Sequence, residues 1–164
     1  MVNAKKRTGQ AMVEFAITLP ILVLLVAGVL ELGRGYVFAT ATSDAARDGA
    51  RYAAGKTSTT NGPGLAAICS LVRADLKAIT PTVSCPATAV GHLPPFNAPA
   101  DYAIPPAGQA VLAVYCGASV DCKGSVTSVT NSEIDVYVYY GFSDLNLLGG
   151  GITISGSSRA ITSW

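Results

Sequence analysis

Charge is scarce in this chain. Of 164 residues only 13% are Asp, Glu, Lys or Arg, half are hydrophobic, and the formal net charge is +1. Disorder needs low hydrophobicity and high net charge, so a disordered chain is excluded. A balanced charge also argues against a nucleic-acid partner, which calls for a basic patch. Histidine is nearly missing. His92 is the sole one, so a His-based metal or catalytic site is not expected, and its setting in VGHLPPF reads as an exposed loop. A Ser-His-Asp hydrolase would have to use His92, and no G-x-S-x-G elbow supports that. There is no Walker A sequence, dinucleotide fingerprint or EF-hand loop. The expectation is a protein that is not an enzyme and holds no cofactor and no metal.

What the chain does have is one long apolar run. Residues 15–30, FAITLPILVLLVAGVL, carry no charge, with Glu14 before them and Glu31 after. As a helix they span roughly 24 Å, and extension to about residue 32 reaches membrane thickness. Lys5, Lys6 and Arg7 precede the run and no acid occurs among the first nine residues. That bias predicts a cytoplasmic N-terminus and an exported remainder. Four readings compete for this segment. It can be a secretory signal peptide with a possible A-x-A site at Ala39-Thr40-Ala41, a plain uncleaved anchor, or a core helix. The fourth reading rests on the string GQAMVEF at residues 9–15.

That string resembles the cleavage motif of class III, prepilin-type signal peptides, in the short-leader G/XXXXEF form of Flp-type pilins. The resemblance implies a membrane aspartyl peptidase cutting after Gly9 on the cytoplasmic side, with Gln10 as the new N-terminus and Phe15 opening the retained apolar segment. The physics of Glu14 fits such a role. A carboxylate at the lipid boundary is costly and needs a partner. A new α-amino group at Gln10 is positive near neutral pH, and in a low-dielectric bundle it would attract Glu14 of a neighbouring subunit strongly. Such a pair would set subunit register.

Residues 36–55, YVFATATSDAARDGARYAAG, are alanine-rich and proline-free, so the helix should continue beyond the membrane. Ala41, Ala45, Gly49 and Ala53 form one stripe of small residues and Ala46, Ala50 and Ala54 a second, permitting close approach of a helix or a sheet. Asp44 with Arg47 and Asp48 with Arg51 are spaced for i,i+3 ion pairs, read as a solvated face or as a docking surface. Gly55 and Lys56 are a plausible stop. The start Gly9 to Ala16, the Leu19-Pro20 pair, the element Glu31-Leu32-Gly33-Arg34 and the helix end Ala45 to Ala54 together are similar to TadE-like proteins. These are minor pseudopilins of the tight-adherence (Flp, type IVb) pilus system. The resemblance covers residues 9–54 closely. It implies an inner-membrane protein, processed by a prepilin peptidase. Its partners would be other pilins or pseudopilins, the assembly platform and membrane lipid. Pro20 removes one helical hydrogen bond, and Thr18 is a candidate to satisfy the freed carbonyl.

The remainder is less regular. GLAAICSLVRADLKAIT, residues 64–80, reads as an amphipathic helix through Leu65, Ile68, Leu71 or Val72, Leu76 and Ile79. Residues 81–106 hold seven of the nine prolines, which predicts a long loop or extended segment. Strands are expected at 110–116, at 133–142 with Ile134, Val136, Val138 and Tyr140 on one face, and at 151–162 with a possible break at Gly156. Tyr137, Tyr139 and Tyr140 read as sheet packing. Leu145, Leu147 and Leu148 read as a contact patch or as a cover over the sheet edge. Cys69, Cys85, Cys116 and Cys122 allow three connectivities, and local pairing, Cys69–Cys85 and Cys116–Cys122, is the expectation. An oxidising compartment agrees with the predicted topology. Zinc is disfavoured without a C-x-x-C pair, and free buried thiols stay open.

The expected architecture is α+β. A leader at 1–9 is followed by a long helix at 10–55 with a transmembrane segment at about 15–32. A periplasmic head with a small antiparallel sheet occupies 56–164. The expected function is that of a pseudopilin in pilus assembly. The alternatives are an uncleaved membrane-anchored binding module and a secreted protein released by ordinary signal peptidase. The leader alone carries three bases and no acid, whereas residues 10–164 hold eight bases against ten acids. The mature chain would be mildly acidic.

Overall fold

The computed structural model describes residues 5–55, 64–86, 105–116, 133–142 and 152–161, with the side chains of 5–8, 55 and 116 excepted. Two helices and four strands follow in the order α1 (Lys5–Gly55), α2 (Leu65–Leu76), β1 (Val83–Ser84), β2 (Ala110–Cys116), β3 (Glu133–Phe142) and β4 (Ile152–Ile161). This is the α+β arrangement expected, a long apolar helix and a small sheet. The chain forms two compact units, Met1–Arg34 and Gly35–Trp164.

In the first unit the described residues are helical from Lys5. The helix passes through Pro20 without ending. The Thr18 hydroxyl lies 2.9 Å from the Glu14 carbonyl and 3.3 Å from that of Phe15. It therefore does not serve the carbonyl of Ala16, four residues before Pro20. A threonine back-bonds within its own preceding turn and cannot reach the carbonyl that proline frees.

The second unit is built on a sheet of order β1-β2-β3-β4. β2, β3 and β4 are antiparallel, whereas β1 runs parallel to β2. The sheet is mixed and not wholly antiparallel, because Val83 and Ser84 inside the proline-rich stretch pair with Ala110 and Val111. Thr80 explains that short strand. Its hydroxyl is 2.8 Å from the Gly108 carbonyl and accepts the Thr82 N–H at 3.2 Å. The end of α2 is thereby tied to the turn before β2, and the Ala110 N–H reaches the Thr82 carbonyl at 3.0 Å.

The sheet has two dissimilar faces. Ile134, Val136, Val138, Tyr140 and Phe142 of β3 join Ala110, Leu112 and Val114 of β2 in the main core. Period-2 alternation dictates this. Against them pack the alanines of α1 (Ala45, Ala46, Ala50 and Ala53) and Leu65, Ile68, Cys69, Val72 and Leu76 of α2. Each fully buried aliphatic of this set contributes about 1.5–3 kcal/mol. Of the adjacent pair Leu71 and Val72, only Val72 is buried. The stripe of small residues on α1 thus meets both a sheet and a helix. Phe38 stacks on Tyr140 with centroids 4.8 Å apart and meets Phe142 edge-on at 5.4 Å. On the opposite face Tyr137 sits between Tyr115 and Tyr139, at 5.5 and 6.0 Å.

β4 is continuous through Gly156, which pairs with Val138. The expected break does not occur because this glycine has a packing role. A Cβ there would collide with the backbone of Thr42 and Ser43. The missing side chain lets α1 lie directly on the strand. Gly49 repeats the device from the helix side, since a Cβ would come 3.3 Å from methyls of Val136 and Val72.

Candidate functional site

Gly9, Gln10, Glu14 and Phe15 lie within two turns of α1, where the sequence placed the processing and assembly residues. Gly9 has open space where a Cβ would be. The Gln10 side-chain amide donates to the Glu14 carboxylate at 3.3 Å, four residues on. The uncut helix therefore gives Glu14 a neutral, same-chain partner. Phe15 and the large apolar residues after it are exposed, from Ile17 to Leu32. A continuous exposed apolar surface of that size marks contact with lipid or protein. Among the described residues one helix is long and apolar enough to cross a membrane, within Gly9–Ala54.

At the far end of the run Arg34 reaches Glu31 at 3.2 Å, and the Glu31 side chain is only 16% exposed. Its second carboxylate oxygen is buried without a hydrogen-bond partner. On the next turns Asp44 and Arg47 pair at 3.5 Å in the open. Such a pair contributes about 0.2–0.5 kcal/mol and is a solvated face. Among the described residues Asp48 does not form the corresponding pair with Arg51. Its charge is felt instead by Asp75 on α2. Partial burial, and then the Asp48 charge, push the Asp75 carboxyl above its ordinary range.

A disulfide joins Cys69 of α2 to Cys85 just after β1, with Cα atoms 6.0 Å apart. It fastens the helix to the edge of the sheet. The expected Cys116–Cys122 bridge, His92, and Leu145, Leu147 and Leu148 fall outside the described residues.

The sequence did not single out the ion cluster on the tyrosine face. Asp135 is 2% exposed, and Arg159, directly opposite on β4, closes on it with two bonds of 2.8 and 2.9 Å. Glu133 adds a contact at 3.5 Å. The bond to Asp135 and its charge raise the pKa of Arg159 above its usual value. The available signal was an acid in the middle of the apolar string EIDVYVYY.

The N-terminal helix carries a family resemblance. Residues 9–51 match the family model of TadE-like proteins. The match takes in Gly9, Glu14 and Phe15, the apolar run, Glu31-Leu32-Gly33-Arg34 and most of the alanine-rich segment. No curated protein and no solved structure matches the chain.

Proposed function

We propose that this chain is a minor pseudopilin of a tight-adherence pilus, anchored by one pass through the bacterial inner membrane. It has no catalytic role. A prepilin peptidase removes residues 1–9 after Gly9, and the head lies in the periplasm, where the Cys69–Cys85 bridge is stable. Its partners are pilins or pseudopilins and the assembly platform.

The observation that carries this reading is the position of GQAMVEF, at the mouth of an exposed apolar helix and inside the TadE-like match. Before the cut Gln10 occupies Glu14. After it, the α-amino group of Gln10 is a charged competitor for the same carboxylate on a neighbouring chain, and a charge-assisted bond is roughly twice as strong as a neutral one. Release by ordinary signal peptidase after Ala41 is disfavoured by packing. It would remove Phe38, which stacks on Tyr140, and would cut beside Thr42, which is fully buried.

Mass spectrometry of the protein isolated from its native membrane tests the reading. Gln10 is expected at the N-terminus. An intact leader, or a start near Thr42, overturns it.

A further inference from the structure

Cleavage after Gly9 would leave a residue with chemistry of its own at the new N-terminus. In the uncut chain the Gln10 nitrogen is a peptide nitrogen, its lone pair delocalised into the Gly9 carbonyl. It cannot attack a carbonyl carbon. Freed by the cut, the same nitrogen is an amine tethered to the carbonyl carbon of its own side-chain amide. Such a tether replaces a bimolecular encounter with an internal one. Glutamine has the length for a γ-lactam. Asparagine, one methylene shorter, would have to form a strained β-lactam.

The structure shows what holds that side chain. Gln10 is exposed, and at Gly9 before it nothing lies within 4 Å of a Cβ position. The surroundings therefore leave room for the ring. The amide itself is aimed forward along α1, where Nε2 donates to the Glu14 carboxylate at 3.3 Å, one turn on. Ring closure needs the reverse, with Cδ folded back onto the nitrogen of its own residue. A side chain extended to Glu14 is not folded for closure. Glu14 also opposes closure electrostatically. A carboxylate beside an α-amino group favours the ammonium form, which has no lone pair to attack with.

We propose that Gln10 of the processed chain is a modification site, which closes to an N-terminal pyroglutamate unless a Glu14 carboxylate engages it. The inference rests on the cleavage after Gly9 proposed above. The α-amino nitrogen forms a bond to Cδ, and the Cδ–Nε2 bond breaks. One amine proton passes to the departing nitrogen, which leaves as ammonia. Nothing is oxidised or reduced, and no co-reactant enters.

The product is a neutral lactam. Its nitrogen keeps one N–H and loses its charge, so the charge-assisted bond to Glu14 of a neighbouring chain is gone. A subunit that pairs promptly keeps its amine. One that waits unpaired loses it for good, because the ammonia departs. Closure thus withdraws idle subunits from assembly, and Glu14 is the positioning residue that delays it.

The test follows the processed full chain, purified in detergent micelles at neutral pH, by intact mass and by tandem mass spectrometry of its N-terminal peptide. The expected result is a progressive loss of one ammonia, confined to Gln10. Glu14→Ala should speed that loss by about two- to tenfold, the rate equivalent of one hydrogen bond. Gln10→Met, which keeps the length and has no amide to expel, should show none. An N-terminus that stays open at Gln10 throughout overturns the modification and leaves the processing reading standing. Ammonia loss that persists in Gln10→Met overturns its assignment to Gln10. Equal rates with and without the Glu14 carboxylate overturn the delaying role. An uncut leader overturns the processing reading, and this inference with it. In the native membrane, chains co-purified with partner subunits should be open at Gln10 and unassociated chains closed. The same closed fraction in both pools overturns protection by pairing.

Discussion

Arg159 of β4 grips Asp135 of β3 with both arms of its guanidinium, Nε to Oδ1 at 2.8 Å and Nη2 to Oδ2 at 2.9 Å. The carboxylate is 2% exposed and the arginine side chain 49%. The pair therefore shields an acid that the fold has buried. Arg159→Ala is expected to cost about 1–3 kcal/mol by leaving that carboxylate without its partner. Asp135→Ala combined with Arg159→Ala should cost less than the sum of the two single changes. Equilibrium denaturation of the four proteins measures this, and strict additivity would reject the coupling.

Gly156 carries the close approach of α1. Gly156→Val should destabilise the fold by about 1–3 kcal/mol, the range for overpacking a tight site. Gly49→Ala should cost less, because its Cβ meets methyls at 3.3 Å, and side chains can give where backbone cannot. Thermal unfolding of both variants reads the difference. Equal melting temperatures would contradict the backbone contact at Thr42.

The Cys69–Cys85 bridge spans sixteen positions. In the chain-entropy model a loop of that length contributes about 3 kcal/mol. The double change Cys69→Ser with Cys85→Ser should lower stability by that order and remove the part of its dependence on reductant that this bridge carries. Urea unfolding with and without reductant checks both.

Asp75 supplies a pH signature. Its carboxyl is raised above 3.8 by burial and by Asp48. A raised acid favours folding only while protonated. That advantage is complete below the ordinary Asp pKa and is lost as pH rises through the shifted one. Asp48→Asn should therefore raise the melting temperature at pH 7, within the roughly 0.5 kcal/mol typical of surface changes. The gain should shrink toward pH 3. A gain that grows on acidification would reverse the sign of this argument.

Glu14→Ala should leave membrane insertion intact, since Phe15 to Leu30 are untouched, and should impair assembly with partner subunits. Membrane fractionation and co-purification separate the two. Normal assembly would discard the register argument.

Much of this was legible in the residues. The strands at 110–116 and 133–142 stand out as apolar runs with β-branched and aromatic content, and the structure has them at those bounds. The helix end at Gly55 follows from glycine and the polar stretch beyond. Other features depend on distant partners. Thr80 and Thr82 make the two-residue β1 a strand only once Gly108 and Ala110 are beside them. Leu71 and Val72 are equally apolar neighbours, and the exact helical phase chose between them. Asp135 and Arg159 lie 24 positions apart, so local spacing cannot join them. Gly156 looked like a strand breaker because what it accommodates is a helix more than a hundred residues earlier in the chain.

The same contact sets where the head can be severed. Residues 35–55 belong to the head's compact unit, and Ala45, Ala46, Ala50 and Ala53 are part of its core. A protease that sheds everything before residue 56 would not release a soluble domain. It would strip one wall from the sheet, baring Val136, Val138 and Tyr140. A cut ahead of Gly35 would spare that wall. The exposed apolar segment and the sheet unit share one helix, so the safe place to part them lies within the helix and not at its end.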